Sequence, residues 1–315
     1  MKRIIALLAV LLLGWSGAVL ADCTASSSNT NLGTVSSFTL ASTAQTVETG
    51  TGFTCSGSLL SLLSTNTVTA TLGSSANASA TTPRLYNSAS GSYIPYTVCG
   101  DSACSTTASI GSSKTWSSTT LLGLLGLFNA SDGSLPLYIR NTAGVNVPAG
   151  TYTDTLTLNW SYSICFVGVL GLCVYTTGTA TSYIYLTLVV TNDCAIDSAP
   201  DVDFGSASLP SSFSSIASTL GIRCTLNATY TVNLTSSNAS SGNWRQMSAS
   251  TSAGTSLLQY QLYQPDGTAW TASNDLSETG TGATQSINYT AQVNPDQTNQ
   301  PAGSYSDTVT VTVSY

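Results

Sequence analysis

The chain has 315 residues with 7 Lys+Arg, 14 Asp+Glu and no His, for a net charge of −7. That acidic balance gives no electrostatic footprint for nucleic acid, and the absence of His removes the usual general base and imidazole metal ligand. A 42% hydrophobic content with 15 Tyr and only 7% charged residues points to extended sheet rather than disorder.

Lys2 and Arg3 precede an apolar run over 4–13, and Val19-Leu20-Ala21 follows. This is the layout of a secretory signal peptide over 1–21, with cleavage before Asp22; the run falls short of the roughly 20 residues a spanning helix needs. Loss of Lys2 and Arg3 leaves the mature chain more acidic still. Eight cysteines lie beyond the leader, an even number that favours disulfides in an exported chain. With no His and no Cys-x-x-Cys, no metal and no other cofactor is expected. Spacing favours Cys23 with Cys55 and Cys194 with Cys224, each pair opening one repeat, and leaves Cys99 with Cys104 and Cys165 with Cys173 as short staples. Spacing alone does not fix the connectivity.

The chain contains two related units. Pro148-Ala149-Gly150-Thr151-Tyr152-Thr153-Asp154-Thr155 returns as Pro301-Ala302-Gly303-Ser304-Tyr305-Ser306-Asp307-Thr308. In the same order Leu32-Gly33 matches Phe204-Gly205, Phe53-Thr54-Cys55 matches Ile222-Arg223-Cys224, and Leu85-Tyr86 matches Leu262-Tyr263. Two all-β sandwich domains follow, over 22–192 and 193–315, each of a size that buries its own core. Tyr152, Leu156, Leu158, Trp160 and Tyr162 share one parity, as do Tyr305, Val309, Val311, Val313 and Tyr315, so each series lines one face of a strand. No run suggests an amphipathic helix.

The first unit continues into a further alternating segment over 181–190, with Ile184, Leu186, Leu188 and Val190 on one face, suited to closing its sandwich. The second unit shows no such segment after Tyr315. Its last strand is therefore either an ordinary edge strand or one side of an open groove, lined by Tyr305, Val309, Val311, Val313 and Tyr315, that needs a strand from another chain.

The first unit is also longer between matching residues, and the surplus is apolar. One insertion carries Leu59, Leu60, Leu62 and Leu63; a second carries Leu121, Leu122, Leu124, Leu125, Leu127 and Phe128. A third, between Cys165 and Cys173, carries Phe166, Val167, Val169, Leu170 and Leu172. None keeps a strand's alternation. Such loops either fold back over the core or project as hydrophobic fingers, and three of them in one unit, with none in the other, favour fingers.

The Cys-to-Cys opening, the Leu-Tyr block and the ending Pro-Ala-Gly-x-Tyr-x-Asp-Thr-Val-Thr-Val-Thr-Val-x-Tyr resemble the spore coat protein U domain, used as the pilin module of Csu-type archaic chaperone–usher pili. The resemblance covers nearly all of the mature chain in two copies. It implies immunoglobulin-like sandwiches, the C-terminal one incomplete and filled by a donor strand of the adjacent pilin subunit, after delivery by a periplasmic chaperone to an outer-membrane usher. Only Asp22 would precede Cys23, so no N-terminal extension is left to donate, and the expected place is the pilus tip at the cell surface. The expected role is adhesion to hydrophobic abiotic or host surfaces and biofilm formation. The alternatives are a lectin-like tip holding a glycan against Tyr86, Tyr93, Tyr96 or Trp116, and a minor pilin away from the tip. No nucleophile–base pair or acid–base constellation supports an enzyme.

Overall fold

The computed structural model describes residues 22–56, 62–120, 126–169 and 172–315. The leader expected over 1–21 lies outside them. The chain opens with β1 (Asp22–Ala25), β2 (Ser28–Ser36), a helix α1 (Ser37–Ser42), β3 (Thr46–Gly50), β4 (Phe53–Ser56) and β5 (Leu62–Ser75). Next come β6 (Arg84–Asn87), β7 (Ser92–Cys99), β8 (Thr107–Ala108), β9 (Ser113–Thr120), β10 (Pro136–Asn141), β11 (Gly150–Val169) and β12 (Leu172–Thr191). The rest is β13 (Cys194–Ser198), β14 (Ile216–Cys224), β15 (Thr229–Ser236), β16 (Arg245–Thr251), β17 (Gly254–Tyr263), β18 (Leu276–Thr279), β19 (Thr284–Val293) and β20 (Val309–Ser314). The helix is a departure from the all-strand expectation. It is a short turn started by Ser36, whose Oγ accepts from the Thr39 N–H at 3.2 Å, and it is too brief to leave a 3.6-residue period in the sequence.

Two compact units emerge. The first takes the described residues up to Gly33, Thr43–Ala143 and Thr151–Val189; the second takes Thr34–Ser42, Gly144–Gly150 and Val190–Tyr315. In the first, β9, β5, β11, β12 and β2 lie side by side in that order, and the sheet runs on from β11 through β6, β7, β10 and β3. Alternation decides what faces inward: Leu156, Leu158 and Trp160 of β11 are buried, as are Ile184, Leu186, Leu188 and Val190 of β12. The Phe53 ring stacks on Trp160 at 4.3 Å between centroids, and Trp116 stacks on the far side of the cluster at 6.1 Å. Trp160 Nε1–H donates to Ser182 Oγ at 2.9 Å, and Ser182 Oγ–H donates to the Thr51 carbonyl at 2.7 Å, so this buried indole leaves no orphan donor.

In the second unit a five-stranded sheet, β13-β14-β19-β17-β16, faces a three-stranded one, β18-β15-β20. Tyr230, Val232, Leu258, Leu262, Trp270, Ile287 and Ala291 form its core, and Trp270 Nε1–H donates to the Val232 carbonyl at 3.1 Å. Disulfides join Cys23 to Cys55, Cys99 to Cys104, Cys165 to Cys173 and Cys194 to Cys224, the pairs that spacing favours.

Candidate functional sites

The first candidate site is the end of the sheet from which the three insertions emerge. Leu62 at the start of β5 pairs with Thr120 at the end of β9, so the segments 57–61 and 121–125 leave from adjacent strand ends. On the other edge of β5, Thr67 pairs with Ser163 of β11, and the Cys165 N–H donates to buried Asn66 Oδ1 at 2.7 Å. The far end of β11, at Val169, and the start of β12, at Leu172, therefore lie toward the same end of the sheet as Leu62 and Thr120. The register brings together the flanks of all three insertions.

The individual residues fall differently. Leu59, Leu60, Leu121, Leu122, Leu124, Leu125 and Leu170 lie outside the described residues. Leu62, Leu63, Phe166, Val167, Val169 and Leu172 have strand backbone. The described residues of the third insertion are thus strand rather than the loop its missing alternation suggests: they form the end of β11 and the start of β12, cross-linked by Cys165 and Cys173. Backbone pairing overrides a side-chain pattern that has no polar positions to mark a period. Leu127 closes a turn and Phe128 follows it, both half-buried, with the Phe128 ring stacked over Phe53 at 6.5 Å between centroids.

The glycan reading loses two of its four residues. Tyr96 is buried with its hydroxyl on Asp154 at 2.6 Å, and Trp116 is buried against Trp160, so neither offers a face to a sugar. The Tyr86 and Tyr93 rings pack against each other in a tilted arrangement at 4.8 Å between centroids, and the Arg84 guanidinium covers the Tyr93 ring at 4.0 Å.

The second candidate site is a groove of about 630 Å³ in the second unit, lined in part by Phe204, Leu258, Tyr260, Tyr305, Val309 and Val311. β20 pairs with β15, from Ser236↔Val309 to Thr231↔Ser314, and with no other strand among the described residues. Val309, Val311 and Val313 touch the core yet stay part-exposed, while Val313 and the 59% exposed Tyr315 lie off the groove. The groove's opposite lip is the stretch over 199–206. It matches β2 of the first unit, and the two share a turn: the Gly33 N–H bonds Asn31 Oδ1 at 2.9 Å, and the Gly205 N–H bonds Asp203 Oδ1 at 2.8 Å. Both glycines take the left-handed conformation, at φ 97° and 73°, which explains why Leu-Gly recurs as Phe-Gly. In the first unit that segment is a strand because β12 lies beside it; in the second it has no strand partner among the described residues.

Ionisable groups behave accordingly. Burial, then hydrogen bonding to Asp307, holds the Tyr260 phenol above its ordinary range, and burial plus the Asp154 charge does the same to Tyr96. Burial lowers the Arg245 guanidinium, against an opposing pull from Tyr260 and Asp307. Among the described residues no group of His, Cys, Asp and Glu is arranged to hold a metal ion.

The fold is that of paired β-sandwich units in which one has a strand with a free edge. The family model of the Spore Coat Protein U domain matches residues 9–159 and 180–312, and the chain belongs to this family. Among solved structures, the chain is 26% identical, with a TM-score of 0.59 and coverage of 93% of this chain and 100% of the other, to one in the CsuC–CsuE chaperone–tip adhesion subunit pre-assembly complex. That complex comes from archaic chaperone-usher Csu pili of Acinetobacter baumannii. The CupB6 tip adhesin of Pseudomonas aeruginosa is 13% identical, with a TM-score of 0.36 over 94% of this chain and 95% of that one. No curated protein matches the sequence.

Proposed function

We propose that this chain is the tip adhesin subunit of an archaic chaperone–usher pilus, with an adhesive domain over 22–192 and a pilin domain over 193–315. It is exported by the 1–21 signal peptide, guided by a periplasmic chaperone to the outer-membrane usher, and anchored by a donor strand from the adjacent subunit. The observation that carries the reading is the contrast between two related units: one is flanked by β12 and has three apolar insertions leaving from one end, and the other has a β20 paired on one edge only, beside an apolar groove. The likeness to the Csu pre-assembly complex supports the chaperone and the tip position.

At the adhesive end, apolar side chains bind by leaving water. A fully buried Leu or Phe contributes roughly 1.5–3 kcal/mol, and a flat solid covers only part of each, so several contacts supply the affinity of one tip. Many pili on one cell then hold by avidity, which suits a hydrophobic abiotic or host surface and the start of a biofilm. The test is the triple change Leu124→Ser, Leu125→Ser and Phe128→Ser in the native pilus. Piliation should persist while attachment to plastic falls sharply. Undiminished attachment would sink the adhesive-end reading, and loss of pili would assign these residues to the core instead.

A further inference from the structure

The repeated block ahead of β20 and within β11 contains an aspartate in each unit, Asp154 in β11 and Asp307 ahead of β20. Asp154 is 4% exposed. Its Oδ2 accepts from Ser75 Oγ and Tyr96 Oη, both at 2.6 Å, and its Oδ1 accepts from the Asn77 N–H at 3.1 Å and from Asn77 Nδ2 at 3.2 Å. Asp307 repeats the arrangement. Its Oδ2 accepts from Tyr260 Oη at 2.6 Å, and its Oδ1 from Ser237 Oγ at 2.9 Å, the Asn238 N–H at 3.2 Å and Asn238 Nδ2 at 3.1 Å. In each unit the carboxylate ties its own strand to the turn after the neighbouring strand and to a tyrosine on a strand further away.

What surrounds the two knots differs. β11 has β5 along one edge and β12 along the other, whereas β20 has β15 alone. In the second unit the bonding also runs inward. Tyr260 Oη and Ser236 Oγ are 3.3 Å apart, and Ser236 Oγ accepts from Arg245 Nη1 at 2.8 Å. Buried Arg245 also donates to the Leu234 and Trp270 carbonyls, both at 2.6 Å, and to Gln261 Oε1 at 3.3 Å, and among the described residues it forms no ion pair with a carboxylate. A guanidinium taken out of water favours any anion it can reach through such a relay. The relay ends at Asp307, on the lip of the groove. Immediately before it, Ser306 and Ser248 exchange two backbone hydrogen bonds, at 2.9 and 3.0 Å. The lead-in to β20 is therefore clamped to the five-stranded sheet, and Val309–Ser314 beyond it depend on β15.

We infer that Asp307 is a positioning residue for strand acceptance: through Tyr260 it holds the lead-in of β20 on the facing sheet, so that the free edge of β20 stands in register beside an open groove before a partner strand arrives. This rests on the strand-accepting reading above. Asp154 makes the same bonds within a strand already flanked on both sides, and so serves as the internal control.

The test uses the full chain and, as probe, a synthetic peptide with the sequence of residues 181–190, the segment that fills the equivalent slot in the first unit. In D307N the amides of 309–314 should exchange with deuterium ~10-fold faster, the size expected for losing a part-buried charged acceptor. Peptide affinity should fall at least ~10-fold, mainly through slower association, because preorganisation is what is lost. Both are read at a temperature where β14 and β19 keep wild-type protection, a condition under which a merely stabilising residue would leave affinity alone. Y260F should reproduce part of the effect and add nothing to D307N. D154N should leave peptide affinity within about twofold, since all its side-chain bonds lie within the first unit. Unchanged exchange and affinity in D307N, or an equal loss in D154N, would overturn the inference. A wild-type chain that binds no peptide, while D307N still loosens β20, would instead overturn the strand-accepting reading.

Discussion

β11 and β20 begin from the same repeated block and present the same alternation of apolar and hydroxyl side chains, yet their inward residues end in different surroundings. Leu156 and Leu158 are 0% and 1% exposed, while Val309 and Val311, at matching positions, remain part-exposed against their core. The strand's own sequence does not cause the difference. β12 covers one edge of β11 and lets the stretch around Leu32-Gly33 pair as β2, whereas beside β20 the stretch around Phe204-Gly205 has the same glycine turn and no ladder. One strand's presence or absence thus decides whether two edges are satisfied or left open.

The strongest way to break this comparison is to supply what the second unit lacks. Appending a copy of residues 181–190 after Tyr315 through a short flexible linker should raise the unfolding midpoint of the second unit by ~10 °C or more, because a tethered strand acts at high effective concentration and adds several kcal/mol. Scanning calorimetry of the full chain reads it, and an unmoved midpoint would mean that β20 is a contented edge strand. Next in size is a pair of truncations. Leu186→Ala should cost the first unit about 2–5 kcal/mol, since it leaves a cavity in a packed core. Val311→Ala in the unextended chain should cost under ~1 kcal/mol, because its side chain is partly wet already, and the cost should grow once the appended strand covers it. Equal costs in the two units would erase the distinction on which the acceptor reading stands.

Much of this was legible before any coordinates. Period-two alternation marks β11 and β20 because their outward positions are Thr, Ser and Asn, and marks β12 by the shared parity of Ile184, Leu186, Leu188 and Val190; two short spacings and two matching long ones point to the four disulfides. The third insertion was not legible as strand, since Phe166, Val167, Val169 and Leu172 have no polar residues between them to show a period. Tyr96 and Trp116 read equally well as binding platform or core; only the partners Asp154 and Trp160 decide. The adjacency of the insertions depends on long-range register, Leu62 with Thr120 and Thr67 with Ser163, which no local pattern encodes. The repeated Asp-Thr was visible as a repeat, but its chemistry needed Tyr260 and Asn238, which lie far from it in the chain.

The smallest expected effect sharpens the comparison at the disulfide ladders that open each unit. In the first, Thr24 and Thr54 face each other across β1 and β4, their hydroxyls 3.2 Å apart. In the second, Arg223 takes the place of Thr54, and its Nε–H donates to Asp197 Oδ2 at 3.1 Å, with Thr284 donating to the same carboxylate. The hydrogen bonds from Arg223 and then Thr284 hold the Asp197 carboxyl below its ordinary value. A depressed carboxyl contributes stability that is present above its unfolded value, near pH 4, and is lost as pH falls through the folded one. The pair is largely solvent-exposed, so the contribution should be only a few tenths of a kcal/mol and should shrink with salt. Arg223→Met should therefore lower the second unit's midpoint slightly at pH 6 and by progressively less as the pH falls below about 4, leaving the first unit unmoved throughout. A penalty that persists in acid would show that Arg223 acts by covering Phe38, whose ring lies 4.3 Å beneath its guanidinium, and not by its charge.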